Sequence, residues 1–196
     1  MPSVLFVFTS TTKTLSDAQT GWYLPEAAHP YYVLAPHATI DFASPNGANP
    51  PVDEGSVKMF ESDAELIKFL ADETVNLKTK LPNAKKLSAV SVKNYDAIFY
   101  IGGHGPVFDL PVDPVNIKLA SEFYHSGKIV SAVCHGVAAL DVPFSTEDRI
   151  ISLGGKYTKA DQPFELKVVV DGLLLTGQNP AAGGPLAEEI LKALHK

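Results

Sequence analysis

Apolar runs of strand length alternate along the chain with stretches of helical periodicity. Residues 4–8 are apolar throughout, which is typical of a central strand covered on both faces. Further strands are predicted over residues 39–43, 95–101 and 128–133, and residues 168–175 predict a hairpin that turns at Asp171-Gly172. Because strands that alternate with helices favour parallel pairing, the pattern predicts an α/β fold with a mostly parallel central sheet.

A helix is predicted between the first two strands. Pro25 suits its first turn, where a missing N–H costs no hydrogen bond. Pro30 cannot donate to the carbonyl of Glu26, so the turn there is expected to loosen or bend. Glu26 is therefore predicted to lie at an irregularity of the backbone.

Other helices are predicted from capping signals and periodicity. Ser62 and Glu65 have the spacing of a capping box, which predicts a helix over about residues 63–77. The remaining predicted elements are helices over residues 114–125, 145–153 and 185–194, and a surface loop near a site over residues 45–55.

The composition is that of an ordinary compact protein. The 196 residues are 45% hydrophobic and 19% charged, which suffices for one domain with a substantial core. A formal net charge of −6, without a cluster of Lys or Arg, argues against nucleic acid as a partner. No basic start with a cleavage site and no apolar stretch of membrane length is present, so a cytoplasmic protein without membrane contact is expected.

The single cysteine, Cys134, leaves no internal disulfide and no thiolate-rich metal site. None of the histidines has convincing metal-ligand spacing, so no metal is expected. Cys134 is therefore either a buried packing residue or a reactive thiol, and composition alone does not decide between the two.

Cys134 follows directly on the predicted strand 128–133 and precedes His135 and Gly136. A nucleophile at a sharp strand-to-helix turn stands at the carboxyl edge of a parallel sheet, where the ligands of such sheets bind. A helix N-terminus at this turn favours the thiolate, and the N–H groups of His135 and Gly103 are expected to face a developing oxyanion. This position favours chemistry over packing for Cys134.

A glycine-rich loop and a carboxylate complete the candidate site. The segment Gly-Gly-His-Gly at 102–105 follows a predicted strand, and its glycines allow backbone N–H groups to approach an anion closely. His104 is expected to order this loop and, with Gly103, to border the substrate. Glu26 could be a solvated helix carboxylate, but its proline and alanine neighbours favour burial.

Four motifs taken together resemble one family. They are Thr-Gly-Trp-Tyr-Leu-Pro-Glu at 20–26, Gly-Gly-His-Gly at 102–105, Ala-Val-Cys-His-Gly at 132–136 and Thr-Gly-Gln-Asn-Pro at 176–180. Over nearly its whole length the sequence resembles the ThiJ/PfpI superfamily and, within it, the glyoxalase III-like small heat-shock branch. The resemblance implies a flavodoxin-like three-layer sandwich with a nucleophile elbow, of the class I glutamine amidotransferase-like fold, as a single domain over residues 1–196.

The resemblance also implies an activity. Members of this branch are lyases that convert methylglyoxal to lactate without glutathione and without a metal or organic cofactor. By the same resemblance Cys134 is the nucleophile, Glu26 hydrogen-bonds its thiol and moves protons, and His135 assists. A small α-oxoaldehyde suits these groups, because a soft thiol adds to the aldehyde and a carboxylate takes the C1 proton. Relatives self-associate, so a homodimer is expected.

The segment after the elbow departs from the family pattern. Relatives carry there a further core strand and an acidic residue that orients the histidine, whereas here Leu140 is followed almost at once by Pro143. A parallel crossover needs about a dozen residues, so the domain is predicted to be shortened between Leu140 and Pro143. Either the molecule lacks this strand, or the sequence as read lacks an internal segment. The acidic residues left to replace the missing one are Asp141, Glu147 and Asp148.

Two other kinds of function compete with the lyase. A catalytically weak member of the family could be a stress-response holding chaperone for unfolded client proteins, a protein deglycase or a redox sensor, since an activated thiol is oxidisable. A glutaminase domain is suggested by the fold alone. It is disfavoured, because no His-x-Glu pair follows the elbow.

Overall fold

A computed structural model describes residues 1–72, 79–140, 146–152 and 154–196. The strands in this part of the chain are β1 (Ser3–Val7), β2 (Thr39–Ser44), β3 (Lys85–Lys86), β4 (Ala97–Tyr100), β5 (Ile129–Val133), β6 (Val168–Asp171) and β7 (Leu174–Gly177). They form one sheet in the order β3-β2-β1-β4-β5-β7-β6, in which the β6–β7 pair alone is antiparallel. The predicted mostly parallel sheet is confirmed.

Helices connect most of these strands. The described α-helices are α1 (Leu24–Leu34), α2 (Glu54–Met59), α3 (Ala64–Ala71), α4 (Pro106–Asp109), α5 (Pro114–His125), α6 (Thr146–Ser152) and α7 (Gly183–Leu194). Short 3₁₀ segments occupy Leu87–Ala89, Val92–Asn94, Cys134–Leu140 and Pro180–Ala182.

Side chains of β1 alternate between two cores, one on each face of the sheet. Phe6 packs into a cluster with buried residues of α1, α3 and α7. Leu5 and Val7 point to the opposite face and pack with residues of α5. Because β1 is apolar from Val4 to Val7, both of its faces can be covered, and the result is the predicted three-layer sandwich.

An aromatic cluster fixes the chain before α1. Trp22 is fully buried, lies edge-on to Phe8 with ring centroids 5.3 Å apart, and donates its indole N–H to the carbonyl of Pro50 at 3.0 Å. Gly21 runs so close to this segment that a Cβ there would lie 2.1 Å from the carbonyl oxygen of Pro51. The motif at 20–26 is thus packed against the loop that the sequence predicted near a site.

Several predicted elements are confirmed and some differ. α5 and the hairpin turning at Gly172 lie where they were predicted. α1 has Pro25 in its first turn and continues as a helix through Pro30. α7 begins at Gly183, two residues before the predicted start at Pro185. The ends of the predicted helix 145–153 and the junction at 141–143 lie outside the described residues.

The capping of α3 differs from the prediction. Asp63, and not Ser62, is the N-cap, and its carboxylate accepts from the N–H groups of Glu65 and Leu66. α3 ends at Ala71, where the next residue has an extended backbone, and residues 73–77 of the predicted helix lie outside the described residues. A carboxylate adjacent to a serine caps equally well by residue type, so the sequence pattern alone could not choose between them.

Candidate active site

The strand β5 leads into a strained turn at Cys134. This residue has a φ of 52°, in the left-handed region that a residue with a side chain rarely adopts. The short helix expected after the strand is a 3₁₀ helix over Cys134–Leu140. It packs closely on β4, since a Cβ at Gly136 would lie 2.6 Å from the carbonyl oxygen of Tyr100. The backbone therefore has the sharp turn expected of a nucleophile elbow.

The carboxylate of Glu26 lies in the first turn of α1 and is fully buried. Burial raises the pKa of Glu26 to about 8, although the thiol of Cys134 and the N–H groups of Gly102 and Gly103 act in the opposite direction. None of these three neighbours reaches either carboxylate oxygen within strict hydrogen-bond geometry. A carboxyl group with this pKa holds a proton at neutral pH and can exchange it with a nearby reactant.

Glu26 and Cys134 meet over the Cα atom of Gly102. A Cβ placed on Gly102 would lie 2.2 Å from Oε2 of Glu26 and 2.9 Å from the Cβ of Cys134. No side chain fits at Gly102 without displacing one of the two groups. The structure thus brings together two residues that lie more than one hundred positions apart in the sequence.

The thiol of Cys134 is half-buried. Burial raises its pKa first, and the neighbouring Glu26 raises it further, whereas the backbone N–H groups of His135 and Gly103 lower it. The expected stabilisation of the thiolate by the turn is therefore present but outweighed. Because each charge disfavours the other, the thiol and the carboxyl group titrate as one pair.

Two exposed histidines border the thiol. Nδ1 of His135 lies 3.3 Å from the sulfur of Cys134. The rings of His104 and His135 face each other with centroids 4.8 Å apart and planes inclined by 33°. Burial by surrounding atoms, together with the charge of His104, lowers the pKa of His135, so this ring is neutral near pH 7.

Backbone contacts hold the glycine loop against the segment before α1. Tyr23 donates its N–H to the carbonyl of Gly102 at 3.1 Å, and Gly105 donates to Gly21 at 3.3 Å. Gly103 has a φ of 101°, and a Cβ there would lie 2.6 Å from the carbonyl oxygen of Gly21. Glycine is required at this position on both grounds.

The carboxylate of Asp109 fastens the other end of this loop. Its oxygens accept from Oγ1 of Thr9 at 2.9 Å and from the N–H of Ser10 at 2.6 Å. This ties α4, which follows the glycine loop directly, to the carboxyl end of β1. Sequence reasoning did not single out Asp109, because its partners lie about one hundred residues away.

The fourth motif, at 176–180, has a role that the sequence did not reveal. Gln178 accepts from the N–H of Ala160 at 2.8 Å, and Asn179 donates to the carbonyl of Glu165 at 2.7 Å. The pairing of Val133 with Gly177 places these two amides beside Cys134 at the carboxyl edge of the sheet. They fix the irregular segment 160–167 there.

One cavity of the molecule lies apart from the candidate site. A cavity of about 570 Å³ opens between α1 and α7, lined among others by His29, Tyr32 and Phe60, and Cys134 does not line it. In the described ranges, no three His, Cys, Asp or Glu side chains come close enough together to hold a metal ion. None of the helices described is long and apolar enough to cross a membrane.

Sequence comparisons identify similar proteins over nearly the full chain. It is 27% identical to Glyoxalase 3 of Candida albicans, with 98% of each chain aligned. It is also 27% identical to the glutathione-independent glyoxalase HSP31 of Saccharomyces cerevisiae, with 90% of each chain aligned. The alignment with the Candida protein spans 235 positions and the chain has 196 residues, so that relative carries segments that are missing here.

Structural comparison gives the same result. The 24 kDa rapid encystment protein of Francisella tularensis matches with a TM-score of 0.89 and 32% identity over 99% of both chains. The family model described as the DJ-1/PfpI family matches residues 25–193, which include Glu26, the glycine loop and the elbow. The ThiJ/PfpI resemblance is thereby confirmed, and this chain belongs to the DJ-1/PfpI family.

Proposed function

We propose that the protein is a glutathione-independent glyoxalase, a lyase that converts methylglyoxal to lactate with Cys134 as nucleophile and Glu26 as acid and base. The observation that carries the proposal is the meeting of a fully buried carboxyl group with a strained cysteine over Gly102. The relatives named as glyoxalases support it, because they align with most of this chain.

The first step is addition of the thiol to the aldehyde carbon of the substrate. The sulfur forms a bond to C1, the C=O electron pair moves to the oxygen, and the proton shared by Glu26 and Cys134 goes to that oxygen. The product is a hemithioacetal. Loss of one proton from the pair is required before the sulfur can attack, so turnover is expected to increase as the pH rises toward about 8.

The second step moves a proton between two carbons. The carboxylate of Glu26 takes the C1 proton, and the electron pair forms a C1=C2 bond, leaving negative charge on the C2 oxygen. The N–H groups of His135 and Gly103 are the proposed donors to this oxyanion. Return of the proton to C2 and transfer of the C1 hydroxyl proton to the C2 oxygen give a thioester, and water releases lactate and the free thiol.

The test for the nucleophile is lactate formation from methylglyoxal without glutathione. We expect Cys134→Ser to lower kcat about a thousandfold or more, because an unactivated hydroxyl cannot replace the thiol. Wild-type protein gives the reference rate, and a retained fold is checked by circular dichroism. Full turnover by Cys134→Ser would contradict the proposal.

The test for the acid and base compares two glutamates of neighbouring helices. Glu26→Gln is expected to lower kcat by about a hundredfold or more, since an amide cannot take the C1 proton. Glu65→Gln is the control, because Glu65 lies half-exposed on α3 in an ion pair with His29. Equal rates for the two variants would remove Glu26 from the mechanism.

A holding chaperone that binds unfolded client proteins is the second candidate function. Large apolar side chains are exposed on the described surface, among them Phe164 at 86% and Met59 at 70%, and such side chains can bind clients. If this function is real, Cys134→Ala protein suppresses the thermal aggregation of citrate synthase as well as wild type does. No suppression by either protein would exclude it.

Assembly and compartment are part of the same proposal. We expect a homodimer in solution, which light scattering coupled to gel filtration measures directly. We expect the protein in the cytoplasm, since one free cysteine suits a reducing compartment. Cell fractionation tests this, and recovery in a secreted or membrane fraction would refute it.

A further inference from the structure

Two imidazole rings meet beside the candidate nucleophile, and the proposed reaction uses only one of them. The rings of His104 and His135 lie 4.8 Å apart at their centroids with an inclination of 33°, which is a tilted stack. Both side chains are exposed, so the sheet does not force this contact. The contact therefore depends on the relative position of the loop that carries His104 and the elbow that carries His135.

His135 needs a neighbour to fix the plane of its ring. Its Nδ1 lies 3.3 Å from the sulfur of Cys134, and rotation about the Cβ–Cγ bond would break this contact. Such a torsion is broad and only weakly restricted by itself. Within the described ranges, Cys134 is the hydrogen-bond partner of the His135 ring, and no carboxylate or carbonyl oxygen holds its other nitrogen.

His104 can fix this plane because its own backbone is fixed on both sides. Gly102 accepts from the N–H of Tyr23 at 3.1 Å, and Gly105 donates to the carbonyl of Gly21 at 3.3 Å. Gly103 stands between them in a left-handed conformation. A ring on a loop held at both ends is a rigid surface against which a second ring can stack.

We propose that His104 is a positioning residue, which holds the ring of His135 in the plane from which Nδ1 contacts the sulfur of Cys134. The inference rests on the proposed function, because it concerns how His135 assists the thiol.

The same contact couples the charges of the two rings. A proton on His104 disfavours a proton on His135, and this charge together with burial lowers the pKa of His135. A neutral His135 can share the proton of the thiol, whereas a protonated ring cannot accept it. The groups that face His135 in the described residues are Cys134 and His104.

Kinetics of two His104 variants separate stacking from other roles. His104→Ala is expected to lower kcat about tenfold or more with little change in KM, because a misplaced catalytic group costs rate and not binding. His104→Phe keeps an aromatic face and is expected to regain most of kcat. His125→Ala is the control, since His125 is exposed at the end of α5. Unchanged kcat in His104→Ala, or equal loss in the Phe variant, overturns the proposal.

A titration followed by nuclear magnetic resonance gives a second measurement that does not depend on turnover. The titration midpoint of the His135 ring is expected to rise in both His104 variants, because a nearby positive charge is removed, and to stay unchanged in His125→Ala. An unchanged midpoint in His104→Ala shows that the rings are not in contact and overturns the proposal. If wild-type protein gives no lactate, the proposed function fails while this titration still decides on the contact.

Discussion

Glu26 retains a proton in the folded protein at a pH where the unfolded chain has released it. The pKa of a glutamate side chain in the unfolded chain is 4.5, and burial raises the pKa of Glu26 in the fold to about 8. Because the pKa of Glu26 is raised, its contribution to the free energy of unfolding is complete below the pKa that the group has in the unfolded chain. It is lost as the pH rises through the folded value, so Glu26 progressively lowers the free energy of unfolding between about pH 4.5 and 8.

We therefore expect Glu26→Gln to be more stable than wild type in alkaline solution. The amide has the shape of the protonated carboxyl group and no charge to bury, so the gain at about pH 9 is of the order of 5 kcal/mol and vanishes near pH 4. Urea unfolding at both pH values measures it. A stability difference that does not change with pH would mean that Glu26 is not the titrating group.

The backbone of Cys134 offers a second prediction at the scale of one residue. Its φ of 52° strains any residue with a Cβ by about 1 kcal/mol, and glycine avoids this strain. Cys134→Gly and Cys134→Ala both remove the thiol, so their difference isolates the backbone. We expect the Gly variant to unfold at a higher urea concentration than the Ala variant. The reverse order would show that the turn is not strained.

At the scale of elements, the amides after β7 hold a long irregular segment in place. Asn179 is buried, donates to the carbonyl of Glu165 and accepts from the N–H of Ala181 at 3.0 Å. These contacts join the segment 160–167 to the start of α7. The segment contains no helix or strand of its own, so its order depends on such side-chain contacts.

Asn179→Ala is expected to lower the free energy of unfolding by about 1–3 kcal/mol, since buried backbone groups lose their partners. It should also increase proteolytic cleavage within residues 160–167. Asn83→Ala is the matched control, because Asn83 is exposed and donates its side-chain amide to the carbonyl of Thr79. Cleavage unchanged from wild type would mean that other contacts hold the segment.

Elements with a strong local pattern could be predicted from the sequence. The strand β1, the helix α5 and the hairpin turn at Asp171-Gly172 are each specified by residues within the element itself. β3 could not be predicted, because two lysines form a strand only by pairing with β2. α2 begins inside a stretch rich in proline and glycine, which masks the signal of its N-cap at Asp53.

The candidate site could be predicted only in part for a related reason. Cys134 and Glu26 stand in recognisable motifs, but the contact of Glu26 with Gly102 depends on how α1 lies against the end of β4. The pairing of His104 with His135 likewise joins two loops that follow different strands. Such contacts are properties of the sheet order and leave no local pattern.

At the scale of the whole molecule, we propose a single domain that lacks an internal segment between Leu140 and Pro143. The longer alignment with the Candida protein supports a loss relative to that relative, without locating it. The described strands all join one sheet, in which β5 pairs directly with β7.

Mass spectrometry of the tryptic peptide that runs from residue 129 to residue 149 tests this proposal, because the peptide spans the junction. We expect the mass of the sequence as printed, together with lactate formation that depends on Cys134, because the described site contains both reacting groups. A larger peptide mass would show that an internal segment is present in the molecule. The expected mass without turnover would leave the shortened domain standing and point to client binding instead.

The absence of a side chain at Gly102 has a genetic consequence. Every glycine codon begins with two guanines, and each single-base change that replaces the residue introduces a Cβ or ends translation. That Cβ would fall on the carboxylate of Glu26 and on Cys134, and it would lie 2.5 Å from the carbonyl oxygen of Val133 at the end of β5. A single point mutation at this codon can therefore abolish activity by adding one carbon atom between the two reacting groups.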